Sequence, residues 1–307
     1  MENTKNSQIN IPDIRQSPNW SRYLNWIGWN SYLTSFGVNV EIMKIKIGGL
    51  VKVQHPKPLT SGDLEEIEKI ALENNAMFVK IEPHISQDIS LLESAGYIIS
   101  LSPLSPPSTI YINLALDEKN LLKKISKSGR YSIRRAGKEG AEVKFYPNPD
   151  PEILEKFYEL MRRSAKKQGF SVQSFEDLKK KAEVFGEECT VVLGYDSRGE
   201  LTGGKFFLTY EKAVWYVHAG TTELGRKLDA GHKMMWESLV RFKNLGYTVM
   251  DMDGIDDDRF PIFTKKWGGF SYFKEKFGGE VIRFPYPYIK YHSKFLKFLA
   301  KYRMLPL

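Results

Sequence analysis

GHKMMWESLVRFKNLGYTVMDMDG, Gly231–Gly254, reads as a helix that breaks at Gly246 and returns as an apolar strand ending on an acid. Helical spacing of apolar residues gives way at Tyr247 to a short strand pattern, and the glycine marks the switch. The same order stands nearer the amino terminus. A helix opens at Thr60-Ser61-Gly62-Asp63, with Leu64, Ile67, Ile70 and Ala71 on one face, and FVKIEP (Phe78–Pro83) follows. In both stretches the strand begins 16 positions after the glycine that opens the helix. Each strand ends on an acid, Glu82 or Asp253, and a glycine-aromatic pair follows, Gly96-Tyr97 or Gly269-Phe270, at 14 and 16 residues. Matched spacing with little identity predicts an old duplication, two copies of one α/β unit.

Outward from the second copy, TVVLGYDSRGELTGGKFFLTYEKAVWYVHAG reads as three strands with turns at Asp196–Gly199 and Tyr210–Lys212. Ahead of the first copy, Ile14–Trp29 reads as a helix entered at Ser17-Pro18. Two strands follow it, Val38–Ile47 and Val51–Gln54, turning at Gly48-Gly49. Residues 1–13 read as a frayed lead-in without an apolar signal segment. Antiparallel strands, a helix, then a further strand and helix resemble the order of a GNAT-type N-acyltransferase domain. Such domains hold the pyrophosphate of acetyl-CoA on the helix amino terminus through a [QR]xxGx[GA] loop. Here that place reads RKLDAG, Arg226–Gly231, with the first glycine absent and an aspartate where phosphate would come.

The formal charge of +8 points to an anionic partner, whether nucleic acid, phosphorylated substrate or membrane face. A single cysteine, Cys189, excludes an intramolecular disulfide and fits a reducing compartment, so the chain is expected in the cytoplasm. No run reaches the length of a membrane span. From Asp251 the sixth and twelfth positions are Asp256 and Ile262, which excludes an EF-hand, and the scattered histidines give no zinc pattern. No metal is expected.

Four segments together resemble the FemABX family, peptidyltransferases that use aminoacyl-tRNA to add amino acids to peptidoglycan precursors. They are QSPNW (Gln16–Trp20) with Gly28-Trp29, FVKIEP, the block Pro106–Val143, and LGYTVMDMDGI with FKEKFGG. The third carries an R-x-x-I-R-x-A signature at Arg130, Ile133, Arg134 and Ala136. The resemblance implies an α/β (α+β) chain of two tandem GNAT-like domains, mixed sheets flanked by helices. The domains would be 1–147 plus 284–307, with a carboxy-terminal helix (Tyr288–Arg303) returning to it, and 148–283. Without a charged heptad run between Pro149 and Cys189, no coiled-coil arm is expected. The implied donor is aminoacyl-tRNA, a co-substrate with no cofactor beside it, and the acceptor a peptidoglycan precursor. The chain is expected to be a monomer. It departs from the family at Leu24, where a phosphate-binding lysine is common, and at Glu82, where aspartate is usual.

The implied reaction is aminolysis of an ester, in which charge develops on the carbonyl oxygen. Lys274, between Phe273 and Phe277 in FKEKFGG, aligns with the family lysine near that oxygen. Phe273 would wall the site or belong to the core. Asp253 would orient the amine or cap a turn. Glu82, Trp20 and Arg226 are the remaining substrate-binding candidates. Lys123–Lys138 holds seven basic residues and no acid, with Arg130, Arg134 and Arg135 as candidate tRNA phosphate contacts and some of the run as ion-pair partners. Along the last helix, aromatics from Tyr288 to Tyr302 form one stripe and lysines another. The aromatic stripe is expected to dock on the first domain, and a membrane face is the second use of such a helix. Two other readings stay open: an acyl-CoA or acyl-carrier donor on the same fold, or a non-catalytic RNA-binding protein.

Overall fold

The computed structural model describes residues 11–302. A 3-10 turn at Ile14–Gln16 leads into α1 (Pro18–Trp26), β1 (Trp29–Leu33), β2 (Asn39–Ile45), β3 (Gly48–Gln54), α2 (Ser61–Glu73), β4 (Ala76–Glu82), α3 (Ile89–Ser94) and β5 (Ile98–Ile99). Next come β6 (Ser108–Asn113), α4 (Glu118–Lys124), α5 (Lys127–Lys138), β7 (Glu142–Pro147), α6 (Pro151–Gln168) and α7 (Phe175–Phe185). The strands β8 (Cys189–Tyr195), β9 (Leu201–Tyr210) and β10 (Ala213–Thr221) precede α8 (Glu223–Lys227), α9 (Ala230–Asn244) and β11 (Val249–Asp251). The chain ends through α10 (Gly268–Glu275), β12 (Glu280–Arg283), β13 (Tyr288–Tyr291) and α11 (Lys294–Lys301).

Local chemistry starts the helices where the sequence marks them. Thr60 accepts from Asp63 N, and the Asp63 carboxylate returns to Thr60 N at 2.8 Å, a reciprocal cap for α2. Ser17 accepts from Trp20 N, with Pro18 in the first turn, where a missing N–H costs nothing. Asp13, expected in the frayed lead-in, caps the 3-10 turn through Arg15 N at 2.8 Å, while residues 1–10 lie outside the described residues.

The described residues divide into two compact units: 12–109 with 254–268 and 282–302, and 110–253 with 269–281 and Ile11. Residues 110–147 therefore cluster with the later unit, because β6 pairs antiparallel with β11, Met250 opposite Ile112. The first unit holds a sheet ordered β1-β2-β3-β4-β13-β5, and the second sheet is ordered β12-β6-β11-β10-β9-β8-β7. Read in opposite directions they match. In each, two antiparallel pairs (β1/β2/β3 and β8/β9/β10) are followed by a parallel crossover through a helix (β3-α2-β4 and β10-α9-β11). In each, the fourth strand then pairs antiparallel with one from a distant part of the chain, β13 or β6. That is the predicted duplication, in strand order and direction.

Ile42, Val53, Ile67, Ile81 and Leu92 fill the first core, and Phe206, Phe207, Leu239 and Met235 the second, all fully excluded from water. Each such side chain contributes about 1.5–3 kcal/mol. Residues 150–185 form α6 and α7; α6 lies on β9 and β10 as a domain helix, and no coiled-coil arm is present among the described residues.

Three expectations change. Gly48 and Gly49 belong to β3, and the two-residue turn is Lys46-Ile47, closed by Ile45 opposite Gly48. The expected helix from Tyr288 begins as β13, because the alternating aromatic run after Pro285 and Pro287 pairs with β4. Gly269 opens α10, whereas Gly96 follows α3, so the fourth landmark of the repeat coincides in spacing and not in structure.

Candidate active site

Strand β11 is short for a physical reason. Its parallel pairing with β10 covers only Ala213–Trp215 opposite Val249–Asp251. Beyond it, β10 continues to Thr221 with a register shift between Tyr216 and His218, which re-aims side chains at that level. The other strand turns away through Asp253 (φ 48°) and Gly254 (φ 98°), while Met252 N still donates to Ile110 O on β6 at 3.0 Å. Left-handed backbone at a non-glycine residue is held only by its surroundings. The two strands part at Tyr216.

In the other unit the equivalent strands do not part. Pairing of β3 with β4 runs to Gln54 opposite Glu82, and His55 N donates to Glu82 O at 2.8 Å. The Glu82 carboxylate accepts from Leu104 N at 2.5 Å, Ser105 N at 2.8 Å, Ser105 Oγ at 2.5 Å and Gln54 Nε2 at 3.2 Å. Burial pushes its pKa up, but His55 and the Ser105 and Leu104 bonds outweigh that and hold it below the ordinary value. Among the described residues the parting is found in the later unit alone.

Two lysines converge on Tyr216, where the strands part. Lys274 lies on α10 with Phe270 one turn before it on the same face. Its Nζ donates to the carbonyl of Asp253 at 3.0 Å and sits 4.9 Å from the Phe270 ring centroid and 5.6 Å from that of Tyr216. Lys205, on β9, donates from Nζ to Tyr216 Oη at 3.0 Å and lies 4.6 Å from the Tyr216 centroid and 4.7 Å from that of Phe273. Both lysines are buried. Burial lowers Lys274 to about 8 against the opposing pull of Asp253 and Asp251. Burial, then the charge of Lys274, lowers Lys205 to about 7. Burial also raises the Tyr216 phenol, keeping it protonated.

The aromatic walls differ from those adjacent in sequence. Phe273 packs against His232 at 5.0 Å and Phe277 at 5.1 Å, and its face serves Lys205. Phe277 is core, so Phe270 and Tyr216 replace the expected flanks of Lys274. The paired glycines after Phe277 serve backbone approach: a Cβ at Gly278 (φ 71°) would lie 2.5 Å from Lys124 O, and one at Gly279 (φ 95°) 2.6 Å from Tyr111 O. They fix the exit of α10.

Of the other sequence candidates, Asp253 meets Lys274 through its backbone carbonyl, and its N–H donates to Asp251 Oδ1 at 2.7 Å. Arg130 donates to the carbonyls of Lys123 (3.2 Å) and Ile125, closing α4. Arg135 donates to Glu139 at 2.8 Å, Asp229 at 3.3 Å and Lys227 O at 2.9 Å. Arg134 is exposed, and so is Arg226, which donates to Thr221 O at 3.3 Å. Trp20 and Glu82 belong to the other unit. Trp20 is half-buried against Tyr23 with the Arg15 guanidinium 5.9 Å over its ring. Leu24 is core, 3% exposed. Asp229 precedes α9 in left-handed conformation without capping it, its carboxylate on Arg135.

Lys205 and Tyr216 escape the motif reading. Their signal is a lone charge inside an apolar strand, LTGGKFFLT, where a buried lysine needs a reason.

The family model described as the FemAB family matches residues 95–202. No curated protein matches the chain. Among solved structures, FemX superposes with a TM-score of 0.80 at 16% identity, covering 94% of each chain. L-PGS from Bacillus licheniformis gives 0.60 at 13% identity over 96% of this chain and 98% of that one. The fold is of the tandem GNAT-like kind, and the family match supports an acyltransferase. The FemAB match over residues 95–202 and the fold shared with FemX make this chain similar to the FemABX proteins.

Proposed function

We propose that the chain moves an amino acid from aminoacyl-tRNA to an amine on the peptide of a peptidoglycan precursor. The observation that carries this reading is the pair of buried lysines beside the Tyr216 ring where β10 and β11 part. The acceptor nitrogen attacks the ester carbonyl, a C–N bond forms, and the carbonyl oxygen takes up negative charge. Lys274, a fixed ammonium in a dry aromatic setting, stabilises that oxygen; losing one such donor costs roughly 10²–10³ in rate. Collapse breaks the C–O bond to the tRNA ribose. Net, one proton moves from the nitrogen to the leaving ribose oxygen, with no oxidant or reductant. Lys205, uncharged for part of the time near pH 7, accepts the nitrogen's proton, and its hydrogen bond to the Tyr216 hydroxyl holds it in place.

The tRNA donor is preferred over acyl-CoA because the carboxylate of Asp229 stands at the α9 amino terminus, where it would repel a pyrophosphate. The deciding experiment offers a mixed pool of charged tRNA with labelled amino acids, and acetyl-CoA in parallel, to muropeptide precursors. Label from tRNA is the expected result. Transfer from acetyl-CoA alone contradicts the reading.

A further inference from the structure

At about 100° per residue, α11 sorts its side chains into three sectors. Leu296, Leu299 and Ala300 face one way and are half-buried. Lys294, Lys297 and Lys301 form an exposed stripe on another side. Between them lie Phe295, Phe298 and Tyr302, exposed by 66, 55 and 59%, with the Phe298 and Tyr302 rings 4.7 Å apart. The expected docking of the aromatic stripe is therefore made by the leucines instead, which hold the helix beside β13 and leave three large aromatics in water. Among the described residues nothing covers them.

We propose that α11 is a docking surface for an anionic lipid bilayer. Charge decides the occupant. Arg283 and Lys290 are paired with Asp258 and Glu68, but no acid lies on α11 itself, where Lys294, Lys297 and Lys301 stand exposed. A second copy of the helix would bring lysine against lysine. An RNA strand would satisfy the lysines and could stack a base on a ring, but the Phe298 and Tyr302 rings pack on each other at 4.7 Å and leave no slot for a base between them. A bilayer surface supplies anionic headgroups for the lysines and, a few ångströms deeper, an interface in which Phe and Tyr rings are stable. The helix is about 12 Å long, so contact is reversible and of modest strength.

The test is sedimentation of the full-length protein with vesicles of phosphatidylglycerol and phosphatidylcholine in equal parts, and of phosphatidylcholine alone. Wild type binds the anionic vesicles and not the neutral ones. Lys294→Gln/Lys297→Gln/Lys301→Gln lowers that affinity on the order of 100-fold. Phe295→Ser/Phe298→Ser keeps the Tm and the charge but loses at least tenfold, most visibly at high salt, where the lysine contribution is screened. Equal binding by all three proteins would mean general attraction to a basic chain and overturns the proposal. So would a wild type that ignores anionic vesicles. A serine variant that instead changes oligomeric state assigns the face to a second copy, and one that loses tRNA affinity assigns it to RNA; either result also overturns it.

Discussion

Lys205 and Lys274 present their ammonium groups to one ring, 4.6 and 5.6 Å from the centroid of Tyr216, yet they are held differently. Lys274 has a carbonyl acceptor in Asp253 and two nearby carboxylates favouring its charge. Lys205 has a phenol and a like charge. The same burial thus leaves one lysine mostly cationic and the other mostly ready to give up its proton near neutrality. This is the division of labour that an ester aminolysis needs.

The rate should follow pH accordingly. With Lys205 needed neutral, kcat/KM rises with pH through about 7; with Lys274 needed charged, it falls again above about 8. A narrow maximum between those values is expected in initial-rate measurements. A profile flat from pH 6 to 9 would remove both lysines from the chemistry.

Lys205→Met should separate stability from function. The folded chain binds fewer protons at this lysine than the unfolded one between about 7 and its ordinary value of 10.5, so the wild type gains stability as pH rises through that window. Below it, the buried ammonium is a standing cost. Methionine removes that cost, so Tm should rise by a few degrees, most at pH 6, while kcat drops and the rising limb of the pH profile disappears. A lower Tm with unchanged kcat would make Lys205 a structural residue.

The arginines of the basic run should separate as well. Arg134→Ala is expected to reduce the salt slope of tRNA binding by about one phosphate contact at unchanged Tm. Arg135→Ala, which frees Asp229, Glu139 and a helix-end carbonyl, should instead lower Tm slightly, since ion pairs at so exposed a group contribute little. An unchanged slope for Arg134→Ala would turn that face of α5 to plain solvent.

Glu82 offers a check on the closed copy. Its removal leaves the N–H groups of Leu104 and Ser105 without their carboxylate, so Glu82→Ala should cost roughly 2–5 kcal/mol in denaturant unfolding. The wild-type contribution should be present above about pH 4 and fade as pH falls through the lowered value. Unchanged stability with a raised KM would make Glu82 a substrate ligand.

Some of this was legible in the chain and some was not. The spacing of Gly231 to Tyr247 against Gly62 to Phe78 carried the repeated crossover, because helix and strand periods are local properties. Thr60 and Ser17 marked helix starts for the same reason. The strands that complete each sheet were not legible: Tyr288 pairs with Ile81, and Asn113 with Val249, across more than a hundred residues, and no local period encodes such a register. Lys274 was found through its motif, but its true neighbours, Phe270 one turn earlier and Tyr216 on β10, follow from a helix where adjacent residues diverge. Lys205 carried only the faint mark of a charge in an apolar strand.

The account rests most heavily on Lys274. Single-turnover transfer from preformed aminoacyl-tRNA, measured with wild type, Lys274→Ala and Lys274→Arg, tests it most directly. Lys274→Ala should slow the chemical step by roughly 10²–10³ with substrate affinity and Tm near wild type, and Lys274→Arg should recover only part of the rate, since a planar guanidinium has a different reach. Loss of folding stability with full activity per folded molecule in Lys274→Ala would contradict the account.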